Sequence, residues 1–314
     1  MKNSILYKYI NLLSRFAIGI VAVWFIYSRI KDDFILNTVK LSTEEINFTL
    51  ILVTSILLFC NWGIEALKWR FAIRNVEQLT IFKALQFTFT GITIGLLTPN
   101  RIGEIPARAL LLNTSSFKEI TLKTSVASFS QVVITFLIGG LGLIFTGAYF
   151  NIDAIVLNSI TLLGMVLILI LYFNVKLLAA IFKKNRFLRD QELIKALMDF
   201  TAIELFFLLG FSFLRYLVFF LQYWLVLNAF GIELVSLSEI LLIPVCFLLA
   251  SSIPTILISE IGVRGSVALF VYGVVSDFDI QIIMASVLLW LINVALPALL
   301  GLFNLKDFKL LKEE

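Results

Sequence analysis

Two stretches without a charged residue, Thr124 to Ile152 and Ala154 to Val175, limit what this chain can fold into. As helices, each is long enough to span a hydrocarbon core of about 30 Å. Soluble domains carry roughly 25% charged residues; this chain of 314 residues carries 15%, against 60% apolar. The sequence encodes an all-α, polytopic integral membrane protein, a helical bundle.

Apolar windows place membrane segments near 14–30, 48–66, 81–97, 124–148, 153–174, 206–230, 239–258, 264–276 and 281–303. The N-terminal run follows Lys2, Lys8 and Arg15 but holds Trp24, Phe25 and Tyr27 and no small-residue cleavage site. It reads as a retained first membrane helix and not a signal peptide. Gly139, Gly140, Gly142 and Gly147 suit close helix packing.

Lys and Arg collect in loops that stay cytoplasmic. They concentrate before Arg15, across Lys68 to Lys83, across Arg101 to Lys123, in the loop from Lys176 to Lys195, and after Lys306. The stretches Asn151–Asp153, Gly231–Glu239 and Ser276–Asp279 hold none and read as outside. The loop at 31–47, with Lys31 and Lys40 among four carboxylates, is the exception. Segment 81–97 has basic residues on both sides, is rich in Thr, and ends before Pro99. It is expected to enter and leave on one side, as irregular backbone does where protein or a water-filled cavity covers it. The reading is about eight crossings plus this re-entrant piece, with both termini cytoplasmic. It is one transmembrane domain, 1–314, with candidate halves 1–175 and 200–314 joined by a basic cytoplasmic loop. Part of that loop, 183–200, is expected to lie on the membrane surface as a helix.

The chain has no histidine, which removes imidazole catalysis and the commonest zinc ligand. Cys60 and Cys246 lie far apart inside apolar runs and read as small buried hydrophobes. No phosphate-cradling loop, metal site or cofactor motif is visible. The net charge of +4 sits in orienting loops and does not argue for nucleic acid.

Two charged islands stand out: LLTPNRIGEIPARALLL at 96–112 and SSIPTILISEIGVRGSVALF at 251–270. Each combines a proline, glycines and an Arg/Glu set beside a short or irregular apolar segment, and by crossing parity both face the cytoplasm. Paired interruptions of this kind point to a central binding site. Their charge order, RIGE against EIGVR, suits inverted halves. If Thr98 caps a helix starting at Pro99, then Arg101, Glu104 and Arg108 share a face, and Pro106 kinks or ends the helix by freeing the Ile102 carbonyl. A helix start with arginines favours a phosphate. Glu104 and Glu260 then suit an amine or hydroxyl, or steady the arginines, and Thr88, Thr90 and Thr93 line the route. Arg215, inside an apolar segment, needs an internal partner or a cavity. Glu65 with Lys68 reads as an interfacial pair, and Glu204 also sits at a boundary.

These residues carry a resemblance. The run of Pro99, Arg101, Gly103, Glu104 and Arg108, followed by Pro254, Glu260, Gly262 and Arg264, resembles the flippase-like membrane domain of bacterial lysylphosphatidylglycerol synthases, over essentially the whole chain. In the second motif, relatives show a Gly-Gly pair shortly before the position of Gly262 and a Glu directly after the Arg. Here Ser259-Glu260 and Gly265 stand instead. With the chain ending soon after Phe303, the aminoacyl-transferring soluble domain is not expected.

The expectation is a lipid flippase or transporter of the bacterial inner membrane, not an enzyme, with membrane lipids as partners. It would bind a phospholipid or lipid-linked headgroup in a cytoplasm-facing cavity through Arg101, Glu104, Arg108, Arg215, Glu260 and Arg264, on a frame set by Pro99, Gly103, Pro254 and Gly262. An ion-coupled small-solute transporter, an intramembrane lipid-linked transferase and a non-catalytic scaffold stay open. So do a homo-oligomer and association with envelope-synthesis enzymes.

Overall fold

The computed structural model describes residues 24, 27, 46–112, 114–177 and 191–304. The expected first membrane helix at 14–30 lies outside these, apart from helical, exposed Trp24 and Tyr27. Most of the loop at 31–47 and residues 178–190 of the basic loop also fall outside.

The described residues are mostly helical, with no strand among them. Five helices are long and apolar enough to cross a membrane: α1 (Phe48–Ile73), α4 (Phe117–Phe150), α5 (Ala154–Phe173), α7 (Ala202–Ala229) and α10 (Asp279–Leu302). Local chemistry starts several of them. The Asn47 side chain accepts from the Thr49 and Leu50 amides to begin α1. Asp153 caps α5, and Thr201 with Glu204 forms a capping box on α7.

Between them lie shorter pieces. Helix α2 (Ile81–Gly95) is followed by a single tight turn at Pro99–Arg101 and by α3 (Glu104–Leu110). Helix α6 is Gln191–Met198, with Ala196 and Leu197 buried and Lys195 exposed, the division expected of a surface helix. Helix α8 (Leu237–Ser252) and α9 (Leu257–Tyr272) are separated by an extended break at 253–256.

Helix α1 packs along α7, and α4 lies against α7, α5 and α8. Helix α5 is mostly exposed, with Ile155, Ile160 and Leu163 more than half accessible, as befits a lipid-facing helix. Cys246 is buried as expected, but Cys60 lies on the exposed face of α1 beside Ile56 and Phe59.

The short pieces form two helical hairpins. In the first, a Cβ on Gly95 would touch Glu104 and one on Gly91 would touch Arg108, so α3 runs back antiparallel along α2. Helix α2 in turn lies antiparallel to the end of α10, through Gln86–Asn304 and Thr93 to the Ala298 carbonyl. The chain thus turns back on itself after 81–97.

The second hairpin is made of the segments read as crossings at 239–258 and 264–276. Helix α8 descends beside α4 from Tyr149–Ser238 to the close contact of Gly139 with Leu248. Its end at Ser252 is therefore level with the middle of α4. The bases of both α8 and α9 adjoin the loops 231–235 and 273–278, which line one cavity. Asn47 donates to the Ala229 carbonyl at the same end. The three loops without basic residues thus gather at one end of the bundle. The first hairpin rises from the opposite end, where Arg74 of α1 pairs with Glu204 of α7. The second charged island is consequently the start of a hairpin return, level with the middle of α4.

Candidate functional site

The tips of the two hairpins meet. Asn100 and Arg101 hold positive φ angles of 50° and 56°, a conformation that only Gly and, less often, Asn adopt readily. This turn stops any helix beginning at Pro99, so Arg101 does not share a helix with Glu104 and Arg108 as expected, although its Cβ and that of Glu104 both lie against Gly95. Thr98 does not cap such a helix either: its hydroxyl accepts from the Gly103 amide at 2.8 Å and donates to the Gly95 carbonyl at 2.7 Å. Gly103 is required there, because a Cβ would lie 2.6 Å from the Thr98 methyl. Pro106 falls in the first turn of α3, where no helical bond needs its missing N–H, so the expected kink does not occur.

Arg101 reaches the other hairpin. Its guanidinium pairs with Glu260 of α9, which also accepts from Arg264 Nε at 3.0 Å, one turn further on. Pro254 lies in the extended break that sets Glu260 in the first turn of α9, and Gly262 lies between Glu260 and Arg264.

Behind this pair lies a second cluster. Glu65, 4% exposed in α1, accepts from Lys68 at 2.8 Å, from Arg215 at 2.8 Å and from Arg108 at 3.1 Å. One carboxylate thus ties α1, α3 and α7 together. Lys68 is 1% exposed, so the pair expected at the interface is instead a buried hub. Arg108 also pairs with Glu104, and its side chain is only 3% exposed. Arg215 finds the internal partner it was expected to need, and its guanidinium sits 4.7 Å over the Trp62 ring.

An uncharged network adjoins the hub. Asn61 accepts from Arg215 Nε at 2.8 Å and donates to Asn293 at 2.9 Å and to Gln222 at 3.2 Å. Asn293 lies in a π-helical turn, Leu291–Ala295. Pro297 has no N–H to offer the Asn293 carbonyl, and the Trp62 indole donates to it at 3.2 Å.

A cavity of about 190 Å³ opens where these elements converge. Arg101, Arg215 and Arg264 line it together with Gln131, Tyr216 and Asn293. Trp62, Phe219 and Phe247 supply its apolar wall. Trp62, Gln131 and Arg215 lie near the middles of α1, α4 and α7, which puts the cavity halfway along the bundle. Its three arginine side chains are 20 to 29% exposed, unlike sealed Arg108.

Of the expected site residues, the structure places Arg101, Arg215 and Arg264 in the cavity wall. Glu260 stands behind Arg101 and Arg264, and Glu104 and Arg108 lie outside the lining. Thr88, Thr90 and Thr93 do not line the cavity either: their hydroxyls bond to the carbonyls of Ala84, Gln86 and Phe89 in their own helix. Trp62, Glu65, Gln131, Tyr216 and Asn293 were not singled out as site residues. Asn61, Glu65 and Lys68, at helical spacing inside an apolar run, were the available signal.

The fold and these motifs agree with one comparison. The family described as "Lysylphosphatidylglycerol synthase TM region" matches residues 12–301. The chain belongs to that family. The match takes in both hairpins and every residue of the cavity. It connects this membrane protein with membrane-lipid function through the synthases for which the family is described. No curated protein matches the chain.

Proposed function

We propose that this family member binds a lipid headgroup in the mid-depth cavity and carries it across the membrane while the acyl chains stay in lipid. The observation behind this reading is the meeting of two opposed half-depth hairpins at a cavity lined by three arginines. Irregular backbone and charge at such depth belong to binding sites of transporters. A volume of about 190 Å³ is below the ~300 Å³ at which drug-sized pockets begin, which suits a headgroup and excludes acyl chains.

In this reading Arg101 and Arg264 bind from one side and Arg215 from the other. The hairpin tips separate or slide to open the cavity to each face in turn. The basic end of the bundle is cytoplasmic, and the hairpins are re-entrant from opposite faces. Glu65, Glu104 and Glu260 are each held by arginines, which supports a role as counter-charges and opposes one as general bases. Transport, not catalysis, is the activity proposed.

The test is lipid scrambling in liposomes with headgroup-labelled lipids and an impermeant quencher. The wild type should move lipid. Arg215→Gln and Arg264→Gln, if folded, should be slowed at least about tenfold, the loss of roughly 1.4 kcal/mol of headgroup stabilisation. Solute or proton flux without lipid movement would overturn the lipid reading in favour of an ion-coupled transporter.

A further inference from the structure

The charge of the site points to the class of headgroup it takes, an inference that rests on the lipid-binding reading above. Among the described residues, Lys68, Arg101, Arg108, Arg215 and Arg264 are joined with only Glu65, Glu104 and Glu260, so five cations meet three carboxylates and two positive charges are in excess. Each cluster contributes one of them: Arg101 and Arg264 share Glu260, while Lys68, Arg108 and Arg215 share Glu65 and Glu104. Uncompensated charge at membrane depth is costly, so a bound group that cancels it is favoured.

No carboxylate belongs to the cavity lining. Both oxygens of Glu65 and both of Glu260 already accept from cations. An ammonium group entering here would meet three guanidiniums and no acceptor of opposite charge. The aromatic wall does not offset this, because Arg215 already occupies the face of Trp62. The lining also holds unused hydrogen-bonding capacity. Tyr216 is 3% exposed, and neither its hydroxyl nor Gln131 Oε1 has a partner among the described residues.

We infer that the substrate is a lipid phosphomonoester, a headgroup that ends in phosphate and carries no ammonium. Two negative charges and three terminal oxygens match two excess positive charges and three arginines that can hold phosphate bidentately. Phosphate that displaces the Glu260 carboxylate from Arg101 also loosens the bridge between the hairpins. An anionic phosphodiester is a weaker ligand, a zwitterionic lipid weaker again, and an aminoacylated cationic lipid the weakest.

The experiment measures binding to the purified full chain in nanodiscs at pH 8, where the phosphomonoester is dianionic. The probes are phosphatidic acid, phosphatidylglycerol, phosphatidylethanolamine, lysylphosphatidylglycerol and inorganic phosphate. Phosphatidic acid should bind at least about tenfold more tightly than phosphatidylethanolamine, with phosphatidylglycerol between them. Arg264→Gln and Arg264→Lys should both fold; the first should flatten the preference and the second should keep part of it. Equal or tighter binding of phosphatidylethanolamine or lysylphosphatidylglycerol overturns this inference and leaves the lipid-binding reading standing. Inorganic phosphate binding as tightly as phosphatidic acid supports the phosphate site but overturns its lipid source. Failure of every lipid to bind or move overturns the lipid reading itself, and this inference with it.

Discussion

Asn100 and Thr255, 155 positions apart, hold each other through one backbone bond and one side-chain bond. The Asn100 amide donates to the Thr255 carbonyl at 3.0 Å, and the Thr255 amide donates to Asn100 Oδ1 at 2.7 Å. These bonds join the tips of two hairpins that rise from opposite ends of the bundle. A cysteine pair, Asn100→Cys with Thr255→Cys in a background lacking Cys60 and Cys246, should therefore form a disulfide under mild oxidation. If the tips move during transport, oxidation should stop lipid movement and reduction should restore it. Full activity of the oxidised protein would show that this contact does not open.

Glu65 is the counter-charge for three cations, so its loss should harm folding more than the loss of any one of them. Glu65→Gln leaves Lys68, Arg108 and Arg215 without their shared carboxylate, at a cost of about 3–5 kcal/mol for a broken buried pair. Arg215→Gln, whose side chain is 20% exposed, should cost less. Thermal melting in detergent should rank the two in that order.

Arg108 and Arg264 separate structure from binding. Arg108 is sealed and outside the cavity lining but supplies one of the hub's three cations, so Arg108→Gln should lower the melting point strongly and weaken lipid binding less than the loss of a lining arginine does. Arg264→Gln should do the reverse. Paired melting and binding measurements check both.

Three glycines give a graded packing test. A Cβ on Gly301 would collide with the Phe89 carbonyl, and one on Gly139 would lie 2.5 Å from Leu248 Cβ. Gly210 has nothing within 4 Å. Gly301→Ala and Gly139→Ala should each destabilise by about 1–3 kcal/mol through overpacking. Gly210→Ala should stabilise by up to about 1 kcal/mol through helix propensity. Equal melting of all three variants would contradict the close approaches of α2 to α10 and of α4 to α8.

Arg101 and Arg264 share one acceptor, so their effects should not add. Either Arg101→Ala or Arg264→Ala leaves Glu260 with one partner, while the double variant leaves a carboxylate that is 7% exposed with neither. The double variant should be destabilised beyond the sum of the singles by about 0.5–3 kcal/mol, measured as a coupling energy.

Much of the fold was legible in the sequence because lipid imposes a one-dimensional rule. The long runs at α1, α4, α5, α7 and α10 had to be helices of membrane length, and the polar, basic-flanked segment at 81–97 had to turn back. The meeting of the α8–α9 hairpin with the first was not legible, because each arm is as apolar as a crossing; only its contacts with α4 place its tip level with the middle of that helix. Arg101, Arg215 and Arg264 were legible as charges in apolar surroundings. The role of Glu65 was not, because a Glu and Lys three residues apart look alike at an interface and in a core.

By itself, then, the sequence determined the membrane class, the helices, the proline and glycine breaks and the presence of more arginine than carboxylate in the charged islands. The tertiary structure decided which charges meet. It took Arg101 out of the helix of Glu104 through two left-handed residues, brought it to Glu260 across the bundle, and joined Arg215 to Glu65. Hydropathy acts along the chain and can be read there. Ion pairing at depth depends on the distance between side chains carried by different helices, and packing alone sets that distance.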